Sequence, residues 1–251
     1  MCLVAFSWQV HPDYPLLISA NRDEFFDRPT APLHLWESGI YAGKDLRGGG
    51  TWMGFHPSGK WSLLTNYRDF HRTHPGEISR GKLVQNYLEG SIGPEAYLES
   101  VHQDQHRYDG FNLLVSDGQK LFYLSNYGNG IQEIQPGIHG LSNGLINDPW
   151  PKVELAKSQL AELISSETTN DTLLSILKSP LTHPAETLPV TGVPEPMEIS
   201  LSAQLIRMPP SYGTVSATSV LQNKSGWTQV KERSFDWDLE NHRDISFSFQ
   251  T

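Results

Sequence analysis

The sequence predicts an α+β fold, because strands and helices come in separate runs. Short apolar segments with β-prone residues fill much of residues 2–66 and return after residue 215. Helical signals lie in two blocks between these regions, and a hairpin separates the blocks. The order is therefore strands, helices, strands, helices, strands. Segregated runs favour an α+β architecture over the alternating pattern of a parallel sheet.

The opening strands are marked by apolar runs with turn residues between them. Residues 2–9 (CLVAFSWQ) and 15–20 (PLLISA) are apolar and β-prone, and the HPDY sequence between them is typical of a turn, which predicts a hairpin. Similar runs predict further strands at 40–43, 51–55 and 61–66.

Helical signals follow. Residues 79–89 and 94–106 are expected to be helices, and the second has Pro94 directly after Gly93. Proline is favoured at the first helical position. Residues 151–165 also begin with a proline and place apolar side chains along one stripe, which predicts an amphipathic helix. A short helix is expected after it, at 170–178.

The remaining segments are strands and one long loop. Residues 111–116 and 120–125 are expected to form a hairpin around an Asp-Gly pair, which supplies the positive φ of a tight turn. Residues 179–210 are rich in proline and lack periodicity, which predicts a loop. Strands are expected to close the chain at 215–221, 227–235 and 244–249.

Composition narrows the class of protein. A net charge of −9 argues against a broad nucleic-acid footprint, which needs clustered basic residues. A single cysteine permits neither an internal disulfide nor a cysteine-rich zinc site. The start lacks the pattern of a secretory signal, and no stretch approaches the ~20 apolar residues of a membrane span. We expect a cytoplasmic protein without a transmembrane segment.

Cys2 is the first candidate for a catalytic residue. Cysteine is small enough for methionine aminopeptidase to remove Met1, and the mature chain would then begin with Cys2. A terminal cysteine carries a nucleophilic thiol and a free α-amine, whose pKa of ~7.7–8.0 lets it take the proton of the thiol. The alternative is a cysteine that packs as a small hydrophobe in a buried strand.

A dense polar cluster closes the apolar run of the second predicted strand. This NRDE segment consists of Asn21, Arg22, Asp23 and Glu24. In a hairpin with strand 2–9, the segment starts beside the mature N-terminus. A carboxylate there can hold the α-amine or steer the thiol, and an arginine there favours the thiolate. The alternative is a solvated turn with internal salt bridges.

Two asparagines stand at the ends of predicted strands. Asn66 ends WSLLTN, and Asn143 ends GIHGLSN. A side-chain amide at such a place can donate to a developing oxyanion, a contribution of about 3–4 kcal/mol to the barrier. The alternative for each is an ordinary turn residue.

The histidines point to no metal or cofactor site. His102 and His106 share a helical face but lack the HExxH pattern, and His71 and His74 lie in a polar loop, so all four are expected at the surface.

Two further polar features have ordinary interpretations. The three glycines at 48–50 can form an anion nest or a tight bend. They lack the Lys-Ser/Thr pair of a phosphate loop, which favours the bend. Lys152 lies at a helix start, where Trp150 and Pro151 favour packing and capping, although Lys152 near Asn143 can meet an anionic ligand.

Six motifs carry a resemblance to a known family. In order they are MCLVAFSW, NRDEFFDRPT, GKDLRGGGTWMGF, LLTNYRD, LSNGLINDPWPK and SYGTVSATSVL. Together they resemble the NRDE family, also called the Transport and Golgi organisation protein 2 family. The resemblance covers nearly the whole chain and implies one NRDE-type domain over residues 1–251.

That family is in turn similar to N-terminal-nucleophile hydrolases of the choloylglycine hydrolase and penicillin V acylase type. The similarity implies a four-layer αββα sandwich that cleaves carbon–nitrogen amide bonds without a cofactor. It implies Cys2 as the nucleophile, Asp23 as the carboxylate near the amine and Asn66 as the oxyanion-hole amide. It implies Asn143 as the residue that positions the amine.

The chain departs from the hydrolases at one arginine and from many family members at another. The arginine of the hydrolases corresponds to Ala20 here, and this chain instead has Arg22, which we place with the catalytic residues. Val215 stands where many family members carry an arginine. Asn21, Glu24 and Lys152 are expected to bind the ligand.

A different class of function uses the same pocket. The family is implicated in haem trafficking and in binding lipid-like or acyl-CoA ligands, so the pocket can bind a small molecule, with haem as one candidate, instead of cleaving it. A third alternative is a structural protein that binds a partner through an exposed apolar patch. The sequence leaves the oligomeric state open.

Overall fold

The computed structural model describes residues 2–71 and 76–251, and His74 therefore lies outside the described residues. The strands are β1 (Cys2–Trp8), β2 (Leu16–Phe25), β3 (Thr30–Leu35), β4 (Tyr41–Asp45), β5 (Met53–Phe55), β6 (Trp61–Asn66), β7 (Phe111–Ser116), β8 (Leu121–Ser125), β9 (Gln132–Glu133), β10 (Gly137–Leu141), β11 (Arg207–Met208), β12 (Tyr212–Gln222), β13 (Trp227–Asp236) and β14 (Asn241–Gln250). The helices are α1 (Gly81–Glu89), α2 (Pro94–Asp104), α3 (Pro151–Ile164), α4 (Asn170–Ser175) and α5 (Glu195–Ser200).

The strands form two antiparallel sheets. The first sheet has the order β10-β1-β2-β12-β13-β14, with β11 paired to β12, and the second runs from β3 to β9 in chain order. Apolar side chains of both sheets meet in a shared core, which includes Phe6, Ile18, Leu63 and Leu114. The sheets therefore stack face to face, as expected of a sandwich.

Helices cover the two outer faces. Residues of α1 and α2 pack against the outer side of β7 and β8, and residues of α3 and α4 pack against the outer side of β1 and β2. The result is the four-layer αββα arrangement that the resemblance implied. The α+β expectation is confirmed.

The second strand is longer than its apolar run indicated. The prediction of 15–20 stops at the last apolar residue, whereas β2 continues to Phe25 and includes the whole NRDE segment. Asn21 is buried there, and its side-chain Nδ2 donates to the carbonyl oxygens of Leu177 at 2.8 Å and Gln204 at 2.9 Å. These bonds offset the cost of burying an amide. The solvated-turn alternative for this segment is wrong.

Two other elements differ from the sequence prediction. Residues 30–35 form the edge strand β3, which contains Pro32, and an edge strand tolerates a residue that cannot donate to the ladder. The predicted loop at 179–210 contains the short helix α5 and the two-residue strand β11. Elements this short show no periodicity in a sequence. Among the described helices, none has the length and apolar character needed to cross a bilayer.

Candidate active site

Strand pairing places Cys2 beside the NRDE segment. Cys2 is the Cα partner of Arg22, and the next inward pair is Val4 with Ala20, both in the core between the sheets. Because directly opposed residues of an antiparallel pair point to the same face, Cys2 and Arg22 face the space between the sheets. The predicted proximity of Cys2 and the segment is confirmed.

Strand alternation divides the NRDE segment between two faces. Leu3 belongs to the outer core under α3 and pairs with Asn21, so Asn21 and Asp23 face the helical layer. Arg22 and Glu24 face the other sheet. The four consecutive polar residues thus lie in two separate environments.

The pairing continues as a row across the first sheet. Arg22 opposes Ser216, Ser216 opposes Ser234, and Ser234 opposes Arg243. With neighbouring strands ~4.8 Å apart, the row from Cys2 to Arg243 spans about 19 Å. A register shift between Thr214 and Ser216 places Val215 in a bulge of β12. The row forms one wall of a cavity.

This Cys2 cavity has a volume of about 560 Å³. Its walls come from both sheets and from the start of α1. The lining includes Cys2, Arg22, Asp23, Glu24, Asn66, Arg80, Val215, Glu232 and Arg243. A cavity of this size accommodates a small molecule.

The Cys2 thiol is largely buried in that wall, with the residue 6% exposed. Burial raises the pKa of the thiol to about 11, with a contribution from the nearby Asp23 charge, while the positive charges of the chain N-terminus and of Arg22 oppose the rise. The Ser142 hydroxyl donates to the Cys2 carbonyl oxygen at 2.9 Å, which fixes the backbone there. The buried-hydrophobe alternative describes the packing of Cys2 correctly, yet the same residue lines the cavity.

Asp23 lies below the surface of the cavity, 1% exposed. Its Oδ1 accepts a hydrogen bond from the Thr214 hydroxyl at 2.7 Å. Burial raises the pKa of the Asp23 carboxyl, and the positive charge of Lys152 is the largest effect that lowers it. The site thus holds a buried acid whose ionisation depends on its neighbours.

Asn66 and Asn143 lie together. The Asn143 side-chain Nδ2 donates to the Asn66 carbonyl oxygen at 2.8 Å, and Asn143 itself is fully buried. Asn66 lines the Cys2 cavity, and its side-chain amide makes no hydrogen bond to another described residue. An amide in this position is available to a ligand oxygen.

The two residues of the NRDE segment that face the other sheet, Arg22 and Glu24, contact each other. Arg22 Nη2 lies 3.5 Å from Glu24 Oε2, and Arg22 Nη1 donates to the Thr30 hydroxyl at 3.3 Å. Glu24 also lies 3.8 Å from Arg28, whose guanidinium meets Asp45 Oδ2 at 2.5 Å. These contacts give the cavity wall a chain of alternating charges.

Two predicted ligand-binding residues lie away from the cavity. The amide hydrogens of Asn21 bond to backbone carbonyls behind the sheet. Lys152 is 2% exposed in α3, and its Nζ donates to the Leu201 carbonyl oxygen at 2.8 Å. Neither residue lines the Cys2 cavity, and both lie behind it.

A second cavity adjoins the first. This apolar cavity has a volume of about 750 Å³ and shares Glu24, Phe25, Asn66 and Arg80 with the Cys2 cavity. Its other lining residues include the aromatic and apolar side chains of Tyr67, Phe70, Tyr127, Met197, Leu201, Met208, Pro209 and Tyr212, together with the charged residues Arg68, Asp69 and Asp109. The side chains of Phe25 and Phe70 are more than half exposed. The two cavities together suit a ligand with one polar and one apolar part.

The structure brings to the site several residues that sequence reasoning missed. Thr214 belongs to the SYGTVSAT motif, and that motif could have indicated a functional residue. The contact of Thr214 with Asp23 was not predictable, because it depends on β2 and β12 being neighbours. Glu232 gave no signal, because it lies in a mixed polar strand. It is buried in the cavity wall, its Oε1 accepts from the Leu33 backbone N–H at 2.8 Å, and burial raises its pKa.

The glycines at 48–50 form a tight turn. Asp45 Oδ1 accepts from the backbone N–H groups of Arg47 and Gly48, so a carboxylate of the chain already occupies them. A Cβ added to Gly50 would clash with the carbonyl carbon of Gly81. The requirement for glycine there comes from this close approach to α1.

The described residues contain no group of three or more side chains suited to hold a metal ion. His71, His102 and His106 are exposed, as expected. In the described part of the chain, no histidine lines the Cys2 cavity or the apolar cavity.

Comparisons with known proteins give one family. The family model described as Transport and Golgi organisation 2 matches residues 1–237. A Transport and Golgi organization protein 2 homolog from Bos taurus is 32% identical over 272 residues, covering 96% of this chain and 98% of that protein. The homolog from Homo sapiens is 31% identical over 274 residues and 99% of both chains.

Two solved structures are also similar at 10% sequence identity. The Caenorhabditis elegans ortholog of N-acylethanolamine-hydrolyzing acid amidase matches with a TM-score of 0.49, covering 88% of this chain and 92% of that one. A conjugated bile acid hydrolase from Clostridium perfringens matches with a TM-score of 0.40, covering 100% of this chain and 97% of that one.

Proposed function

The chain belongs to the Transport and Golgi organisation 2 family, and from its site we propose that it is an N-terminal-nucleophile cysteine hydrolase acting on an amide or related acyl bond of a small molecule. The observation that carries the proposal is the placement of Cys2 in the wall of a cavity that Asn66 and Asp23 also line. A nucleophile, an amide donor and a carboxylate at one cavity are the parts that acyl transfer requires.

The mechanism begins with removal of Met1, which leaves Cys2 with a free α-amine. The amine takes the proton of the thiol, and Sγ attacks the substrate carbonyl to form a carbon–sulfur bond. The Asn66 side-chain amide donates to the oxyanion. As the carbon–nitrogen bond breaks, the amine passes its proton to the leaving nitrogen. Water then attacks the thioester, the carbon–sulfur bond breaks, and the acid leaves.

Asp23 and Asn143 hold the parts in place. The carboxylate of Asp23 stabilises the charged amine, and Thr214 orients that carboxylate by its 2.7 Å hydrogen bond. Asn143 fixes the backbone that carries Asn66, through its 2.8 Å hydrogen bond to the Asn66 carbonyl oxygen. A placed group of this kind lowers the entropic cost of reaching the transition state.

The substrate class follows from the two adjoining cavities. Asn66 lines both, so the bond under attack lies where they meet. An apolar group fits among Tyr67, Phe70 and Met208, and a polar or charged group fits in the Cys2 cavity beside Arg243. We therefore propose an amphipathic amide as the substrate.

The experiment uses protein whose Met1 has been removed, offered a panel of N-acyl amides with long and short acyl groups. We expect an acyl-enzyme on Cys2, seen as added intact mass, and turnover that Cys2→Ser abolishes. Asn66→Ala should lower kcat/KM about 100- to 1000-fold, because one oxyanion donor is lost. Asn86→Ala, at an exposed position of α1, is the matched control and should change little. Full turnover in Cys2→Ser would refute the proposal.

A second candidate function is binding of the same ligand class without cleavage. The observation that favours it is the raised pKa of the Cys2 thiol, about 11, which disfavours the thiolate while a peptide bond precedes Cys2. On this proposal the two cavities hold an amphipathic acid, and Cys2→Ala keeps full affinity. Turnover lost in Cys2→Ala with binding retained supports the hydrolase instead.

Haem is one ligand of this chemistry, with an apolar ring and two carboxylates. In the described residues the cavities offer no histidine as an axial ligand, and the available donors include the thioethers of Met197 and Met208 and the thiol of Cys2. Methionine and cysteine are known axial ligands. Titration with haem should then give a Soret band that Met208→Leu shifts. Lack of any band excludes haem.

A further inference from the structure

Four charged side chains are buried at or behind the walls of the two cavities, of which Asp23 reaches the Cys2 cavity and Arg68 the apolar cavity. Asp23, Arg68, Lys152 and Glu198 are between 1% and 6% exposed. They come from four parts of the chain: β2, the segment after β6, α3 and α5. Because each isolated buried charge costs several kcal/mol, such a cluster is stable only if its charges compensate one another. Two are positive and two are negative.

Two of the four charges form a direct ion pair. Arg68 Nη2 lies 2.7 Å from Glu198 Oε1, and the Thr191 hydroxyl donates to Glu198 Oε2 at 2.6 Å. The guanidinium also lies over the Trp150 ring, 4.8 Å from its centre. Arg68 and Glu198 therefore compensate each other, and Lys152 and Asp23 are the other two opposite charges of this cluster.

Lys152 forms no ion pair with a carboxylate among the described residues, and its Nζ donates to the Leu201 carbonyl oxygen. Its position is fixed by α3, whose residues Val153 and Ala156 pack on the outer face of the first sheet. That is the face to which the alternation of β2 directs Asp23. The Lys152 charge is the largest of those that lower the pKa of Asp23.

We propose that Lys152 is a positioning residue that keeps the Asp23 carboxylate ionised behind Cys2. The proposal rests on the proposed function, because Asp23 matters there as the holder of the Cys2 amine. An ionised Asp23 attracts the protonated amine, whereas a protonated Asp23 does not. Lys152 does not line the Cys2 cavity, and on this proposal it acts on the Cys2 amine through Asp23.

Burial and the neighbouring charges determine the pKa of Lys152. Burial, together with the Arg68 charge, lowers the pKa of Lys152 to about 8, although Asp23, Glu198 and Cys2 oppose the decrease. Loss of the Lys152 proton above about pH 8 removes the cation that holds Asp23 ionised. The ionisation of the Asp23 carboxyl should therefore change near that pH, as Lys152 titrates. An exposed carboxyl shows no such change there.

The first measurement is a carbon NMR titration of the Asp23 carboxyl in the wild-type chain. We expect its signal to shift through a step near pH 8 that Lys152→Met removes. A flat signal from about pH 7 to 9 in the wild-type chain, or a step that persists unchanged in Lys152→Met and so belongs to the nearby α-amine, would overturn the proposal. This readout needs no substrate. A protein that shows the step but turns over no amide would refute the proposed function and leave this inference standing.

The second measurement compares Lys152→Met with Lys157→Met on Met1-free protein. Lys157 lies on the same helix but is partly exposed and paired with Glu154 at 2.9 Å, so it is the matched control. We expect Lys152→Met to lower kcat about tenfold or more with little change in KM, and Lys157→Met to change neither. Adding Lys152→Met to Asp23→Asn should cause no further loss. Equal, independent losses from the two substitutions would mean that Lys152 acts elsewhere.

Discussion

The reactivity of Cys2 with an alkylating reagent should depend on whether a residue precedes it. While a peptide bond precedes Cys2, burial holds the pKa of its thiol near 11, against 9.0 for the ordinary group. Each pKa unit is a tenfold change in the thiolate fraction below the pKa. At about pH 8 the folded chain should therefore carry about 100-fold less thiolate than the unfolded chain.

Removal of Met1 changes the position of the positive charge nearest the thiol. The N-terminal ammonium already lowers the pKa of the thiol when a residue precedes Cys2. After removal it lies on the same residue as the thiol, where a cation favours the thiolate more strongly. We expect folded protein that begins with Cys2 to react at least tenfold faster than folded protein in which a residue still precedes Cys2. In concentrated urea burial is lost, so the form with a residue before Cys2 should react faster than it does when folded, while the α-ammonium still favours the thiolate of the form that begins with Cys2.

The assay is the rate of iodoacetamide addition at about pH 8, followed by intact mass. Because the chain has a single cysteine, the added mass reports Cys2 alone. If the two folded forms react at the same rate, the α-amine does not activate the thiol and the proposed proton relay is wrong.

The same pKa shift predicts a change in stability with pH. The folded-state pKa of Cys2 is raised, so the unfolded chain loses the thiol proton first and stability falls as pH rises from 9.0 to about 11. Two units correspond to about 3 kcal/mol. Lys152 has the opposite sign in an overlapping range, so the comparison must be wild type against Cys2→Ala, in which the Lys152 contribution cancels.

Two further substitutions test the packing around the site. Glu198→Gln leaves the Arg68 charge without its partner in a site where that side chain is 2% exposed, and should lower the free energy of unfolding by about 3–5 kcal/mol in urea. Glu77→Gln breaks an exposed pair and should cost less than about 1 kcal/mol, so similar losses would contradict the buried pairing. Gly50→Ala should cost about 1–3 kcal/mol and lower Tm, since its Cβ would meet α1, whereas Gly93→Ala, which has open space, should cost about 1 kcal/mol or less. Equal shifts in Tm for these two glycines would contradict the close approach.

Local signals in the sequence sufficed for most elements of the fold. The Pro94 and Pro151 helices and the Asp-Gly hairpin between β7 and β8 lie where the sequence placed them, because each is set by residues near in sequence. The strand β3 and the helix α5 were missed because tertiary contacts stabilise them and their own sequences give weak signals. Ile206 and Leu201, for example, lie in a small core beside α5 that only forms once β12 is in place.

The site was predictable in part for the same reason. Cys2 and Arg22 were expected together because a hairpin joins their strands. The position of Lys152 was not predictable, because it depends on how α3 packs on the sheet. The sequence indicated a cation at a helix start, near an anionic ligand, and the structure instead buries that cation against the carbonyl of Leu201. Glu198 and Arg68 lie 130 positions apart in the chain, and no local pattern links them.

The division of the NRDE segment between two faces limits how the chain can vary. A strand has a period of two, so deleting one residue from 16–20 would turn the following side chains to opposite faces. Arg22 would then be buried under α3, and Asp23 would face the opposite sheet. Insertions or deletions in β2 must therefore come in pairs or be compensated at a bulge. The NRDE segment thus consists of two interleaved pairs of residues. Substitutions in each pair are constrained by the layer that the pair faces.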